Sequence, residues 1–126
     1  MKKFKSSLSH AIDGVHKTYR DEPNMRIHVL IALIALIFGY LLCLSSIEWI
    51  LLFIVICLVI VTEVINTIFE RLLDMVKPTV NDYIRDMKDM MAAAVFLTSL
   101  LALIVGIVIF IPKLAQVLGS LLLSLS

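Results

Sequence analysis

The sequence predicts an all-α integral membrane protein with three transmembrane helices and an N-terminal amphipathic surface helix. Three observations carry this. The chain of 126 residues is 61% hydrophobic with a mean hydropathy of +1.05, well beyond a soluble domain and too short for two ordinary domains. Its apolar residues gather into three long segments. Ten of its eleven Lys and Arg residues fall in only two of the stretches that flank those segments.

The N-terminal segment comes first. Phe4, Leu8, Ala11, Ile12, Val15 and Tyr19 recur at helical spacing among Lys, Ser, His and Asp, which reads as an amphipathic helix in the membrane interface. Pro23 disfavours helix at Glu22, so a turn there leaves Glu22 near the membrane edge. The first span is expected from about Ile27 to Ile47. The second runs from Trp49 to Val61 and turns amphipathic beyond it. That apolar part is shorter than the roughly 20 residues a span needs, so its polar continuation must face protein. Lys77-Pro78-Thr79-Val80-Asn81-Asp82 reads as a turn, after which Tyr83 to Phe96 is again helical, and the third span extends from about Met90 to Ile111. No cleavable signal is expected, because the first apolar run starts late. Cys43 and Cys57 fall inside apolar segments and read as packed or lipid-facing residues rather than a disulfide.

Charge sets the topology. Lys2, Lys3, Lys5, Lys17, Arg20 and Arg26 precede the first span, and Arg71, Lys77, Arg85 and Lys88 lie between the second and third. Loops rich in Lys and Arg stay in the cytoplasm, so the N-terminus and the region around Glu70 to Lys88 are predicted cytoplasmic and the C-terminus outside. Tyr40 and Trp49 suit the opposite interface.

The most informative residue is Glu63, a carboxylate at the end of the apolar run. An ionisable group there is costly and marks a functional site by default. Steps of three, four and four residues carry Glu63, Asn66, Glu70 and Asp74 along one helix face. The stripe invites a cation, a proton or a phosphate-bound metal. The four glycines (Gly14, Gly39, Gly106, Gly119) form no phosphate-cradling motif, which excludes P-loop and Rossmann sites. His10, His16 and His28 lack a metal-ligand spacing, and no nucleic-acid partner is indicated. What remains, Glu22, Glu63, Glu70, Asp74 and Asp89 with Lys88, is a set of hard oxygen ligands suited to Mg²⁺ with substrate phosphates. That set fits phosphoryl transfer, where positioning and charge neutralisation supply most of the catalysis. A proton or cation path in a small transporter, or polar glue between helices, stays open on these residues alone.

Glu63-Val64-Ile65-Asn66-Thr67-Ile68-Phe69-Glu70-Arg71-Leu72-Leu73-Asp74, followed by Lys88-Asp89, resembles the signature of the small prokaryotic diacylglycerol kinase family. Glu22-Pro23-Asn24-Met25-Arg26-Ile27-His28 is similar to an element of its Gram-positive branch, which includes undecaprenol kinases, and Ser9-His10-Ala11-Ile12-Asp13-Gly14 resembles that branch's N-terminal helix. The similarity covers about Phe4 to Lys113. It implies a kinase-like membrane domain over 1–113 and a tail of unassigned role over 114–126. It also implies a homotrimer with sites shared between subunits, and transfer of phosphate from MgATP to a membrane lipid alcohol, undecaprenol before diacylglycerol. Glu63 then matches the catalytic base, and Glu22 and Glu70 the metal ligands. His10, Glu22, Glu70, Asp74, Lys88 and Asp89 match ATP-binding positions, Asn81 is expected beside them, and Asn66, Asn24, Arg26 and Trp49 are expected to support the site or substrate. Glu22 and Glu63 need not come from one chain in such a trimer. The chain departs from the family at Thr79-Val80-Asn81, where members often carry a Glu-Tyr-His-type triplet.

Overall fold

A computed structural model describes residues 2–76 and 82–125. Four helices follow in order: α1 (Lys2–Asp21), α2 (Pro23–Leu41), α3 (Ser46–Val76) and α4 (Asp82–Leu125). Three of them, α2, α3 and α4, are long and apolar enough to cross a membrane. The 31 residues of α3 measure about 46 Å at 1.5 Å per residue, so one helix carries both the second apolar run and the polar stripe beyond it.

The break between α1 and α2 lies at Glu22, whose backbone is extended (φ −108°, ψ 118°) with Pro23 opening α2. Proline suits a first helical turn because its missing N–H has no intrahelical partner to lose. Arg26 closes the preceding end: its guanidinium donates to the carbonyls of Tyr19 at 3.1 Å and of Arg20, two acceptors that the end of α1 would otherwise leave unpaired.

The α2–α3 connection is tighter than the apolar pattern predicts. The span expected to reach Ile47 ends at Leu41. The Leu44 amide donates to the Gly39 carbonyl at 3.1 Å and the Cys43 amide to that of Tyr40 at 3.2 Å. With Cys43 at φ 51°, this is a Schellman closure, which favours glycine at the left-handed position. Ser45 and Glu48 then start α3. The Ser45 amide donates to Glu48 Oε2 at 2.7 Å and the Glu48 amide to Ser45 Oγ at 3.4 Å, a reciprocal capping box. Hydropathy alone does not register either motif, because Leu42, Cys43 and Leu44 are all apolar.

Packing is concentrated between α3 and α4, which run antiparallel. Leu44, Leu52 and Ile109 form a buried cluster, and Val55 and Val59 extend the same α3 face at 5% and 7% exposure. Between membrane helices such contacts act through close packing rather than through a hydrophobic drive. Charge pairs mark both ends of the α3–α4 pair: Lys88 Nζ lies 2.6 Å from Asp74 Oδ1, and Lys113 Nζ lies 3.3 Å from Glu48 Oε2. Helix α4 continues past Pro112 through the tail. Two substitutions test the α2–α3 closure by thermal unfolding in detergent. Cys43→Gly removes the left-handed strain of a residue with a Cβ and is expected to raise stability by up to about 1 kcal/mol. Gly39→Leu places a Cβ 3.1 Å from the Trp49 ring and 3.3 Å from Leu44, and is expected to cost about 1–3 kcal/mol.

Candidate active site

The polar stripe begins where the buried apolar face of α3 stops. Leu52, Val55, Val59, Glu63, Asn66 and Thr67 are all buried, spaced at helical intervals along one side of α3. Glu63 is 2% exposed. Its Oε2 is shielded and has no partner among the described residues, so one carboxylate oxygen keeps its acceptor capacity unused. Thr67, one turn on, donates its hydroxyl to the Glu63 carbonyl at 3.0 Å and so leaves the carboxylate untouched. Asn66 donates from Nδ2 to Glu70 Oε1 at 3.2 Å, while its own Oδ1 is buried without a partner. Two acceptors therefore await a donor or a cation in the same turn.

Other elements bring the second carboxylate and the counter-charge. Glu22 lies in the α1–α2 turn, and its negative charge, like that of Glu70, is felt at Glu63. Arg71 fastens that turn to α3. Its guanidinium lies 3.0 Å from Asp21 Oδ2 and 3.7 Å from Glu22 Oε1, and Arg20 and Arg71 together hold the Asp21 carboxyl below the ordinary aspartate value. Beneath the turn, Met25 is fully buried and Thr18 nearly so, which seats α1 and α2 against α3. Lys88, from α4, meets Asp74 at the outer end of the stripe, and its charge also responds to Glu70.

Within one chain, Glu63, Asn66 and Glu70 share a face of α3, Asp74 at its outer end pairs with Lys88 of α4, and Glu22 lies in the turn that Arg71 fastens to α3. Asp89 is exposed on the turn of α4 next to Lys88, and Asn24 is exposed in the first turn of α2. Arg26 serves the end of α1, as described above. Two of the expected site residues are not gathered in. His10 is exposed on α1, Nε2 3.3 Å from Ser6 Oγ, about three turns away from Asp21. Trp49 sits at the opposite end of the bundle, stacked on Phe53 with ring centroids 5.6 Å apart and packed on Gly39. Asn81 lies outside the described residues, as do Thr79 and Val80. Arg71 is the residue that sequence reading left without a role; its place inside the motif, beside Glu70, was the available signal.

The profile of the prokaryotic diacylglycerol kinase family matches residues 9–110. The chain is 34% identical over 114 residues to the undecaprenol kinase of Bacillus subtilis (strain 168), covering 90% of this chain and 93% of that protein. It is 31% identical over 109 residues to the diacylglycerol kinase of Synechocystis sp. (strain ATCC 27184 / PCC 6803 / Kazusa), covering 86% of this chain and 62% of that protein. The chain belongs to the prokaryotic diacylglycerol kinase family and is a membrane-embedded lipid kinase.

Proposed function

We propose that the protein transfers the γ-phosphoryl group of ATP to the hydroxyl of a membrane lipid alcohol, undecaprenol in preference to diacylglycerol. The observation that carries this reading is the buried Glu63 carboxylate with an unpartnered oxygen, at the point where the apolar face of α3 meets a stripe of further carboxylates. The similarity to an undecaprenol kinase over nine-tenths of the chain supports the choice of acceptor.

In this mechanism Glu63 Oε2 accepts the proton of the lipid hydroxyl. The freed alcohol oxygen attacks the γ-phosphorus, the bond from that phosphorus to the bridging β–γ oxygen breaks, and ADP leaves with the electron pair. A fixed base with a free lone pair suits the first event, since a general base must reach the proton it abstracts. Asn66 positions Glu70 through its amide. Lys88 supplies positive charge for phosphate, with Glu22, Glu70, Asp74 and Asp89, and more distantly His10 and Asn81, as the nucleotide side of the site.

The donor set fits a magnesium ion. Glu22 and Glu70 offer hard oxygens, and the Asn66 oxygen beside them lacks a partner. Among the described residues no three acidic, His or Cys groups converge tightly enough to hold a metal unaided. Mg²⁺ is bound in that way, by one or two carboxylates and by substrate phosphates. Glu22 and Glu70 would hold it, and its chemistry there is to neutralise phosphate charge.

The charge distribution supports a plasma-membrane enzyme with its N-terminus and active site in the cytoplasm and its C-terminus outside. Phe4, Leu8, Ile12, Val15 and Tyr19, all exposed on α1, support placing that helix in the interface. The polar stripe of α3, which must be covered by protein rather than lipid, and membership of the family support a homotrimer with sites shared between subunits, in which Glu22 and Glu63 of one site need not come from one chain.

Glu63→Gln keeps shape and hydrogen bonding but removes the proton acceptor. Its kcat is expected to fall roughly 10²–10⁴-fold with the KM for ATP and the oligomeric mass unchanged; near-normal turnover would end the assignment. For Glu22→Ala and Glu70→Ala, activity is to be titrated against Mg²⁺. Each variant is expected to need more Mg²⁺ than wild type and to recover part of its loss in excess metal. Superimposable titration curves would show that neither residue is a ligand.

A further inference from the structure

Helix α4 is longer than a membrane span needs. From Lys88, paired with Asp74, to Lys113, paired with Glu48, it rises about 37 Å at 1.5 Å per residue. That already exceeds the roughly 30 Å of a hydrocarbon layer. Lys113 Nζ also lies 3.4 Å from the Cys43 carbonyl, so α4 is tied at this level to the α2–α3 connection. Tyr40 and Trp49 stand at the same end, residue types that collect where membrane meets water. Yet α4 continues to Leu125. Helix α2 has ended at Leu41 and α3 begins at Ser46, so neither accompanies it, and every residue from 114 to 124 is exposed.

The two sides of this extension differ. Ile109 packs with Leu44 and Leu52, and steps of four, three, four and four lead from it to Lys113, Gln116, Ser120 and Ser124, all on one face. The side that meets α3 inside the bundle therefore turns polar where α3 is no longer beside it. On the other side Ile104, Ile107 and Ile111 are exposed along the span, and steps of three and four continue them to Leu114, Leu118, Leu121 and Leu122, also exposed. The outward apolar face of the span thus runs on into the extension unbroken. Carried straight ahead, α4 would hold that face about 18 Å into water, which is unfavourable. Pro112 supplies the alternative. It has no N–H for the Val108 carbonyl and its ring crowds that group, so the helical ladder is weakest at the membrane boundary. A bend there towards the outward side lays the leucines on the membrane and leaves the polar stripe in water.

We propose that residues 114–125 form an interfacial helix that bends from α4 at Pro112 and lies on the lipid surface at the membrane face opposite the candidate active site, with Leu114, Leu118, Leu121 and Leu122 inserted among the lipids. The inference rests on the membrane setting of α2, α3 and α4 and is independent of the acceptor's identity. Gln116, Ser120 and Ser124 bear no charge, and the hydroxyls of both serines donate to carbonyls of their own helix. Attachment therefore comes from apolar insertion rather than from attraction to anionic headgroups. The tail of a second copy is the rival occupant. Continuity with the outward face of the span, and a helix-weakening proline placed at the boundary, favour lipid.

The test uses full-length protein in phosphatidylcholine vesicles. Nitroxide labels are placed singly at Leu118→Cys and at Ser120→Cys in a Cys43→Ala, Cys57→Ala background. Electron paramagnetic resonance then compares their collisions with lipid-soluble oxygen and with a water-soluble nickel chelate. Oxygen is expected to dominate at 118 and nickel at 120. A second measurement needs no label: amide hydrogen exchange over 114–125 in wild type and in Leu118→Asn with Leu122→Asn. A helix of twelve residues left in water frays, so the double variant is expected to exchange about tenfold faster or more once two leucines no longer insert, at unchanged oligomeric mass. Nickel dominating at both labelled positions, or equal exchange in the double variant and wild type, overturns the proposal. Shielding of both labels with dipolar broadening at 118, or a lowered oligomeric mass in the double variant, also overturns it and assigns the leucine face to a second copy.

Discussion

A carboxylate that cannot face lipid organises this molecule. Glu63 continues the buried apolar face of α3, and a charge-bearing side chain on that face must be covered by protein or water. Several features follow from that one requirement. The helix runs about three turns beyond Glu63 so that Asn66, Glu70 and Asp74 lead from the buried position towards solvent. The α1–α2 turn is clamped over the same region, and α4 returns along α3 with Lys88 at the outer end of the stripe. Removing the stripe would leave α3 an ordinary hydrophobic span with no need of these arrangements.

The forces that hold the site are unequal. The Asp74–Lys88 pair is short but well exposed, with 67% and 39% of the two side chains open to solvent, and such pairs contribute little to stability. Their value here is in register: together with Glu48–Lys113 at the opposite end they align α4 on α3, and the alignment sets which α4 residues stand beside Glu63. Cohesion comes from the close packing of Leu52, Val55, Val59 and Ile109 and from the closed α2–α3 connection. Arg71 links the two tasks, since it lies in the stripe's own sequence and grips Asp21 and Glu22 from the other helices.

Much of this was legible in the sequence because it depends on local periodicity. The spacing of Glu63, Asn66, Glu70 and Asp74 specifies a helix face without any tertiary knowledge, and Pro23 specifies the turn that delivers Glu22. Motif likeness then supplied the family. The end of α2 was misplaced because Leu42, Cys43 and Leu44 continue the apolar run, whereas the backbone turns there through a left-handed cysteine and a capping box. Those features concern hydrogen-bond direction, to which hydropathy is blind. Trp49, at the far end of α3 from the stripe, stands at the interface its indole suits, stacked on Phe53.

The central claim is that this buried carboxylate serves phosphoryl transfer to a lipid rather than passage of protons or cations. The most direct measurement supplies the purified wild-type protein with γ-labelled MgATP and a micelle panel of undecaprenol, diacylglycerol and no added lipid, then separates lipid-soluble label from ATP. Label is expected in the lipid fraction, dependent on both Mg²⁺ and added alcohol and greatest with undecaprenol. Absence of labelled lipid with every alcohol, while the protein binds no ATP and instead moves protons or cations across liposomes, would contradict it.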